Sequence, residues 1–120
     1  MSRAVRLRLP VPPSVNSYWR AWRGRMVKTD EAKRYQGAVR LRGLQVRARP
    51  LEGAVSVSIS VFRKARRGDL DGFLKLILDS LQGVAFENDS QVVELHAMRF
   101  DDPADPRVVV VVEGVPDGVH

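Results

Sequence analysis

From Val55 to Phe62 the chain reads VSVSISVF, with Val55, Val57, Ile59 and Val61 alternating against Ser56, Ser58 and Ser60. A period of two puts one set of side chains on each side of an extended strand, so this segment belongs in a sheet buried on one face. Past the basic turn RKARRG the period changes. Leu70, Phe73, Leu74, Ile77, Leu78 and Leu81 recur at i, i+3, i+4, i+7, i+8 and i+11, the apolar stripe of a helix from about Leu70 to Gln82. A half-buried strand followed by an amphipathic helix calls for a helix packed on a sheet.

The flanking segments extend the pattern. AVRLRLPV alternates Val5, Leu7, Leu9 and Val11 against Arg6 and Arg8, a strand ended by Pro10, Pro12 and Pro13. SVNSYWRAWRGRMVK reads as an irregular loop. Thr29 or Asp30 caps a helix to about Val46, with Ala32, Tyr35, Val39 and Val46 toward the core and Lys33, Arg34, Arg40 and Arg47 outside. GVAFENDS reads as a loop, and QVVELHAMRF and RVVVVVEG as strands joined by DDPADP in a hairpin connection. The order β-α-β-α-β-β predicts a single α/β (α+β) domain spanning 1–120. It has two main helices and a mixed sheet of about four strands.

Composition narrows the chemistry. The chain has 120 residues, 44% of them hydrophobic, and no cysteine, so disulfides, thiolate zinc sites and thiol nucleophiles are excluded. Only His96 and His120 can supply imidazole, and His96, in mid-strand, is expected to pack. No window holds the roughly 18 apolar residues of a membrane span. No signal peptide is expected either, so a cytoplasmic location is.

The charge is split along the chain. Residues 1–67 hold 17 of the 20 lysines and arginines and three of the 14 acids, a balance of +14, whereas residues 68–120 hold three against eleven, a balance of −8. A basic region of that density attracts polyanions, and an acidic cluster beside it repels them. Pairing of the two halves within the fold is the plainer explanation of the same split.

The acids are clustered as well. Asp69 and Asp71 bracket Leu70 at the start of the second helix, Lys75 and Asp79 follow Asp71 at i+4 and i+8, and Asp89 precedes the next strand. Three carboxylates converging there suit Mg²⁺ or Mn²⁺, which take oxygen ligands and keep waters for a substrate phosphate. Local roles also account for them: Asp69 as an N-cap, Asp71 near the positive end of the helix dipole, and Asp71 with Lys75 as an i,i+4 pair.

GDLDGFLKLILDSL followed by NDSQVV resembles the D-x-D-N-x-x-K-x-x-x-D-x-L … D-D-x-x-V pattern of the RusA-type Holliday-junction resolvases, small homodimeric endodeoxyribonucleases. LPVPPSVNSYWRAWRGRMVKT is similar to their opening strand, Pro-Pro turn, asparagine, aromatics and arginines. The likeness covers nearly the whole chain in order. It implies Asp69, Asp71 and Asp89 as catalytic metal-binding carboxylates and Lys75 as the basic residue near the scissile phosphate. Mg²⁺ is the implied cofactor, which Mn²⁺ can replace, and Asn16, Asp79 and Asn88 have supporting roles. The family's asparagine after the second aspartate is Gly72 here, and the first acid of its doublet is Asn88, which brings no charge.

The expected function is therefore metal-dependent resolution of four-way DNA junctions by paired phosphodiester hydrolysis, in recombination and repair. Arg20, Arg23, Arg25, Lys28, Arg66 and Arg67 are expected to contact DNA phosphates, and a two-fold homodimer to meet opposing junction strands. Tyr18, Trp19 and Trp22 either stack on unpaired bases or cover the core or the dimer interface. The alternatives are a non-catalytic, structure-selective nucleic-acid-binding protein and a nuclease of the same fold acting on flaps or forks.

Overall fold

The computed structural model describes residues 3–13, 19–63 and 70–116, with the side chains of residues 70 and 71 outside the description. Strand β1 spans Ala4–Leu9, β2 Trp19–Trp22, β3 Arg25–Lys28, β4 Val55–Arg63, β5 Val92–Asp101 and β6 Arg107–Gly114; helix α1 spans Asp30–Gln45 and α2 Leu70–Leu81. The main sheet has the order β1-β6-β4-β5. Strand β6 is antiparallel to both β1 and β4, and β5 is parallel to β4. The fold is thus the expected mixed four-stranded α+β domain.

One face of this sheet is buried. Val5, Leu7 and Leu9 of β1, Val55, Val57, Ile59 and Val61 of β4, and Val108, Val110 and Val112 of β6 form the core with Ala32, Tyr35 and Val39 of α1 and Phe73, Leu76, Ile77 and Leu81 of α2. The opposite face, with Arg6, Arg8, Ser58 and Met98 exposed, meets solvent. Thr29 caps α1 as expected, accepting from the amide of Ala32. Tyr35 donates to the Pro10 carbonyl at 2.8 Å, fastening α1 to the end of β1, and burial pushes its phenol above the ordinary range.

Four expectations change. The segment read as a loop after Pro13 contains a hairpin, β2 with β3, whose two-residue turn Arg23-Gly24 has φ of 50° and 74°. Two left-handed residues match the twist of adjoining strands. Strands β5 and β6 form no hairpin, because β4 lies between them. Residues 102–106 instead cross the end of β4, spanning two strand spacings of about 4.8 Å. Asp102 N donates to the Arg63 carbonyl at 2.8 Å, and Arg107 holds Asp102 at 2.9 Å while its guanidinium lies 3.8 Å from the Phe62 ring centroid. Val46 is 56% exposed, its place on the buried face of α1 taken by Gly43. Finally, the loop after α2 is core: Val84, Ala85 and Phe86 are buried, and the Ala85 carbonyl accepts from Leu51 N at 2.8 Å.

Candidate active site

The two halves of the charge pattern meet between α2, the hairpin and the entry to β5. Asp71 is the second residue of α2, with Lys75 and Asp79 following at four-residue intervals on the helix. Lys75 projects over Trp19, its ammonium 5.6 Å from the ring centroid, a cation–π contact that orients a long side chain. Trp19 itself packs against the core.

Asp89 begins a single 3₁₀ turn, Asp89–Gln91, that leads into β5. The turn is built by its neighbours. Asn88 Oδ1 accepts from Ser90 N at 2.9 Å, and Gln91 Oε1 accepts from the amides of Glu87 and Asn88 at 2.8 and 2.9 Å. Gln91 Nε2 donates to the carbonyls of Leu51 and Gly53, both at 2.8 Å, pinning the turn to the chain entering β4. Asn88 therefore shapes the loop that presents Asp89, a task that requires an acceptor and no charge. Gln91 was not singled out in the sequence, although a glutamine three residues after an Asn cap is a capping-box signal.

A cleft of about 310 Å³ lies between these parts, lined by Trp19, Lys75, Leu78, Asp79, Asp89 and Val92. It brings Lys75 and Asp89 together from positions distant in the chain. Asp79 forms a wall shared with a second pocket of about 250 Å³ lined by Lys28, Gln36, Arg40, Ser80 and Gln82. Its carboxylate pairs with Lys28 Nζ at 2.9 Å and accepts from Gln36 and Gln82 at 3.1 and 3.2 Å. One side chain thus joins β3, α1 and the end of α2. In the hairpin Lys28 stands opposite Trp19, so the Lys28–Asp79 pair also fixes the strand end that holds Trp19 over Lys75. Both partners are 31% exposed, so the pair is only partly screened by solvent.

The hairpin carries Arg20, Arg23 and Arg25 on exposed positions. Arg23 stacks at 4.4 Å on Trp22, which is 46% exposed. His96, expected to pack, is exposed and paired with Glu94. Asn16, Tyr18, Arg66, Arg67, Asp69 and the side chain of Asp71 lie outside the described residues. Among the described residues no three acidic or imidazole side chains cluster as a metal site.

A family model described as endodeoxyribonuclease RusA matches residues 10–113. The crossover junction endodeoxyribonuclease rusA of Enterobacteria phage HK97 is 33% identical over 94 residues, covering 76% of this chain and 78% of that protein. The match runs from the end of β1 through β6 and takes in the hairpin, α2 and the Asp89 turn, and on that extent the chain belongs to the RusA endodeoxyribonuclease family.

Proposed function

We propose that this protein is a metal-dependent endodeoxyribonuclease that resolves four-way DNA junctions in recombination and repair, acting as a homodimer. The observation that carries the reading is the cleft in which Lys75 and Asp89 meet under Trp19, beside a hairpin of exposed arginines. Family membership supplies the reaction class.

The donor set fits Mg²⁺, with Mn²⁺ as a substitute. Asp89 offers a carboxylate at the cleft, Asp71 is in the first turn of α2 four residues before Lys75, Asp69 precedes the helix in sequence, and the chain has no cysteine to favour a softer ion. Bound there, the ion supplies charge neutralisation at the phosphate and an acidified water. The protein's own groups do the rest. Arg20, Arg23 and Arg25, with Arg66 and Arg67, hold backbone phosphates, while Lys28 serves through Asp79. Lys75, kept in place by Trp19, meets the negative charge that grows on the phosphoryl oxygens as water adds and the 3′-oxygen departs. Asn88 and Gln91 hold the Asp89 turn rigid, and Asn16 belongs to the same supporting set.

Paired incision needs two such sites. Among the described residues nothing pairs with the outer edge of β5, and Val93, Leu95, Met98 and Phe100 along that strand are 42–56% exposed. An apolar edge of that length favours covering by another chain, which supports a second copy across a two-fold axis.

The test is incubation with a synthetic four-way junction and a linear duplex, in Mg²⁺ and in EDTA. Junction cutting in Mg²⁺ alone is expected, lost in Asp71→Asn and in Asp89→Asn with binding retained. Binding without cutting, or equal cutting of linear duplex, overturns the reading.

A further inference from the structure

A second basic site stands at the other edge of the sheet. Where the chain enters β1 and leaves α1, a pocket of about 210 Å³ is lined by Arg3, Arg6, Arg47 and Arg49 over Val5 and Leu51. No acid lines it, and none of the four arginines has a carboxylate partner among the described residues. Arg6 alternates to the open face of the sheet and meets the pocket only at its rim, so the like charges gathered around the concavity are those of Arg3, Arg47 and Arg49, which repel each other and raise the local anion concentration. Nothing within the described fold gains from gathering them.

The backbone adds a second observation. Helix α1 ends in a Schellman motif: Ala48 N donates to the Gly43 carbonyl at 2.8 Å and Arg47 N to the Leu44 carbonyl at 3.1 Å, with Arg47 at φ 56°. That left-handed position is normally glycine, because a Cβ there is strained. Arginine occupies it here at a cost to stability and turns the chain back toward Arg3 and Arg6. Residues held in such a conformation cluster at ligand sites and turns, and at Arg47 the one gain on view among the described residues is its guanidinium at the pocket.

We propose that this pocket binds a backbone phosphate of the DNA whose cleavage is proposed above, a reading on which this inference rests. Guanidinium forks match phosphate oxygens in pairs. The pocket and the cleft lie at one end of the sheet, since β1, β4 and β5 run in the same direction and Arg3, residues 46–51 and Asp89 each precede one of those strands. Strands β1 and β5 are three places apart, or about 14 Å at the usual spacing. That is the length of about four base pairs at 3.4 Å each. A DNA arm leaving the cleft across this end of the sheet therefore reaches the arginines with a phosphate about four nucleotides away.

The deciding variant is Arg47→Gly. It relieves the strain while removing one ligand, so its melting temperature should rise by roughly 2–5 °C while its affinity for junction and duplex DNA in EDTA falls about fivefold. Arg3→Gln/Arg49→Gln should lose about tenfold and reduce the slope of log affinity against log salt by about one. Lys33→Gln/Arg34→Gln, on the exposed face of α1, is the matched control for lost charge. Equal losses in the control, or unchanged affinity in Arg47→Gly, overturn the site. Sodium pyrophosphate is titrated in parallel: protection of wild type but not Arg47→Gly, with DNA affinity unchanged, would mark a small-anion site and overturn the DNA assignment. Because these readouts are binding in EDTA, a wild type that binds DNA without cutting junctions sinks the resolvase reading and leaves the pocket standing.

Discussion

Asp79 acts through geometry. Its carboxylate touches Lys28, Gln36 and Gln82, and what it controls is the placement of Trp19 over Lys75. Asp79→Ala removes a partly buried ion pair and strands two amide donors, a stability loss of about 1–2 kcal/mol. Its larger effect should be on cutting: misplacing a group by about 1 Å near the reacting phosphate can cost up to about 100-fold in rate. In a Trp22→Phe background the remaining Trp19 should fluoresce further to the red in Asp79→Ala, as the hairpin lifts from α2. Junction affinity should change little. An unmoved Trp19 spectrum with normal cleavage would show that the pair is only a surface contact. A role for Asp79 was legible in the family pattern; its partner was not, because nothing local links Lys28 to a residue 51 positions later.

Two glycines in α1 separate packing from propensity. A Cβ on Gly43 would stand 2.6 Å from Val84 Cγ1, whereas one on Gly37 would meet nothing within 4 Å. Helix propensity alone favours alanine at both by about 1 kcal/mol. Gly37→Ala should therefore stabilise the protein by about that amount in urea unfolding. Gly43→Ala should destabilise it by about 1–3 kcal/mol, because the buried, β-branched Val84 has little room to yield. Val84→Ala in the same chain should recover part of the loss. If both glycine variants behave alike, the close approach of α1 to the loop after α2 is not as described. The same close approach explains why Val46 is exposed: α1 meets its neighbour through a small residue, so the large one at the helix end turns outward. The apolar triplet Val84-Ala85-Phe86 was the available signal that this loop is core, and it was outweighed by the glycine before it and the polar residues after it.

At the scale of the whole molecule, β5 is the strand placed to meet a second copy. A central strand would be covered on both edges, but among the described residues the order β1-β6-β4-β5 leaves one edge of β5 unpaired, with Leu95, Met98 and Phe100 exposed. Leu95→Asp/Phe100→Asp should convert a dimer to a monomer in sedimentation. The monomer should nick one junction strand at a time and lose coordinated paired incision. Paired cutting by a monomeric variant would remove β5 from the interface. The larger elements were decided by the sequence itself: the alternation in β1 and β4 states which side is buried, and in α2 Phe73, Ile77 and Leu81 are buried as the stripe has them, whereas Leu74 and Leu78 are only partly buried and Leu76, outside the stripe, is fully buried. The partition of charge was equally plain, and the family pattern named the candidate residues of the site. Which edges pair was decided only in the tertiary structure, as was the Arg23-Gly24 hairpin and the meeting of Lys75 with Asp89, Lys28 with Asp79, and Arg3 with Arg47. The physical reason is that periodicity records a segment's burial but not its neighbour. A neighbour is selected by contacts among residues far apart in the chain, here by β4 lying between β5 and β6.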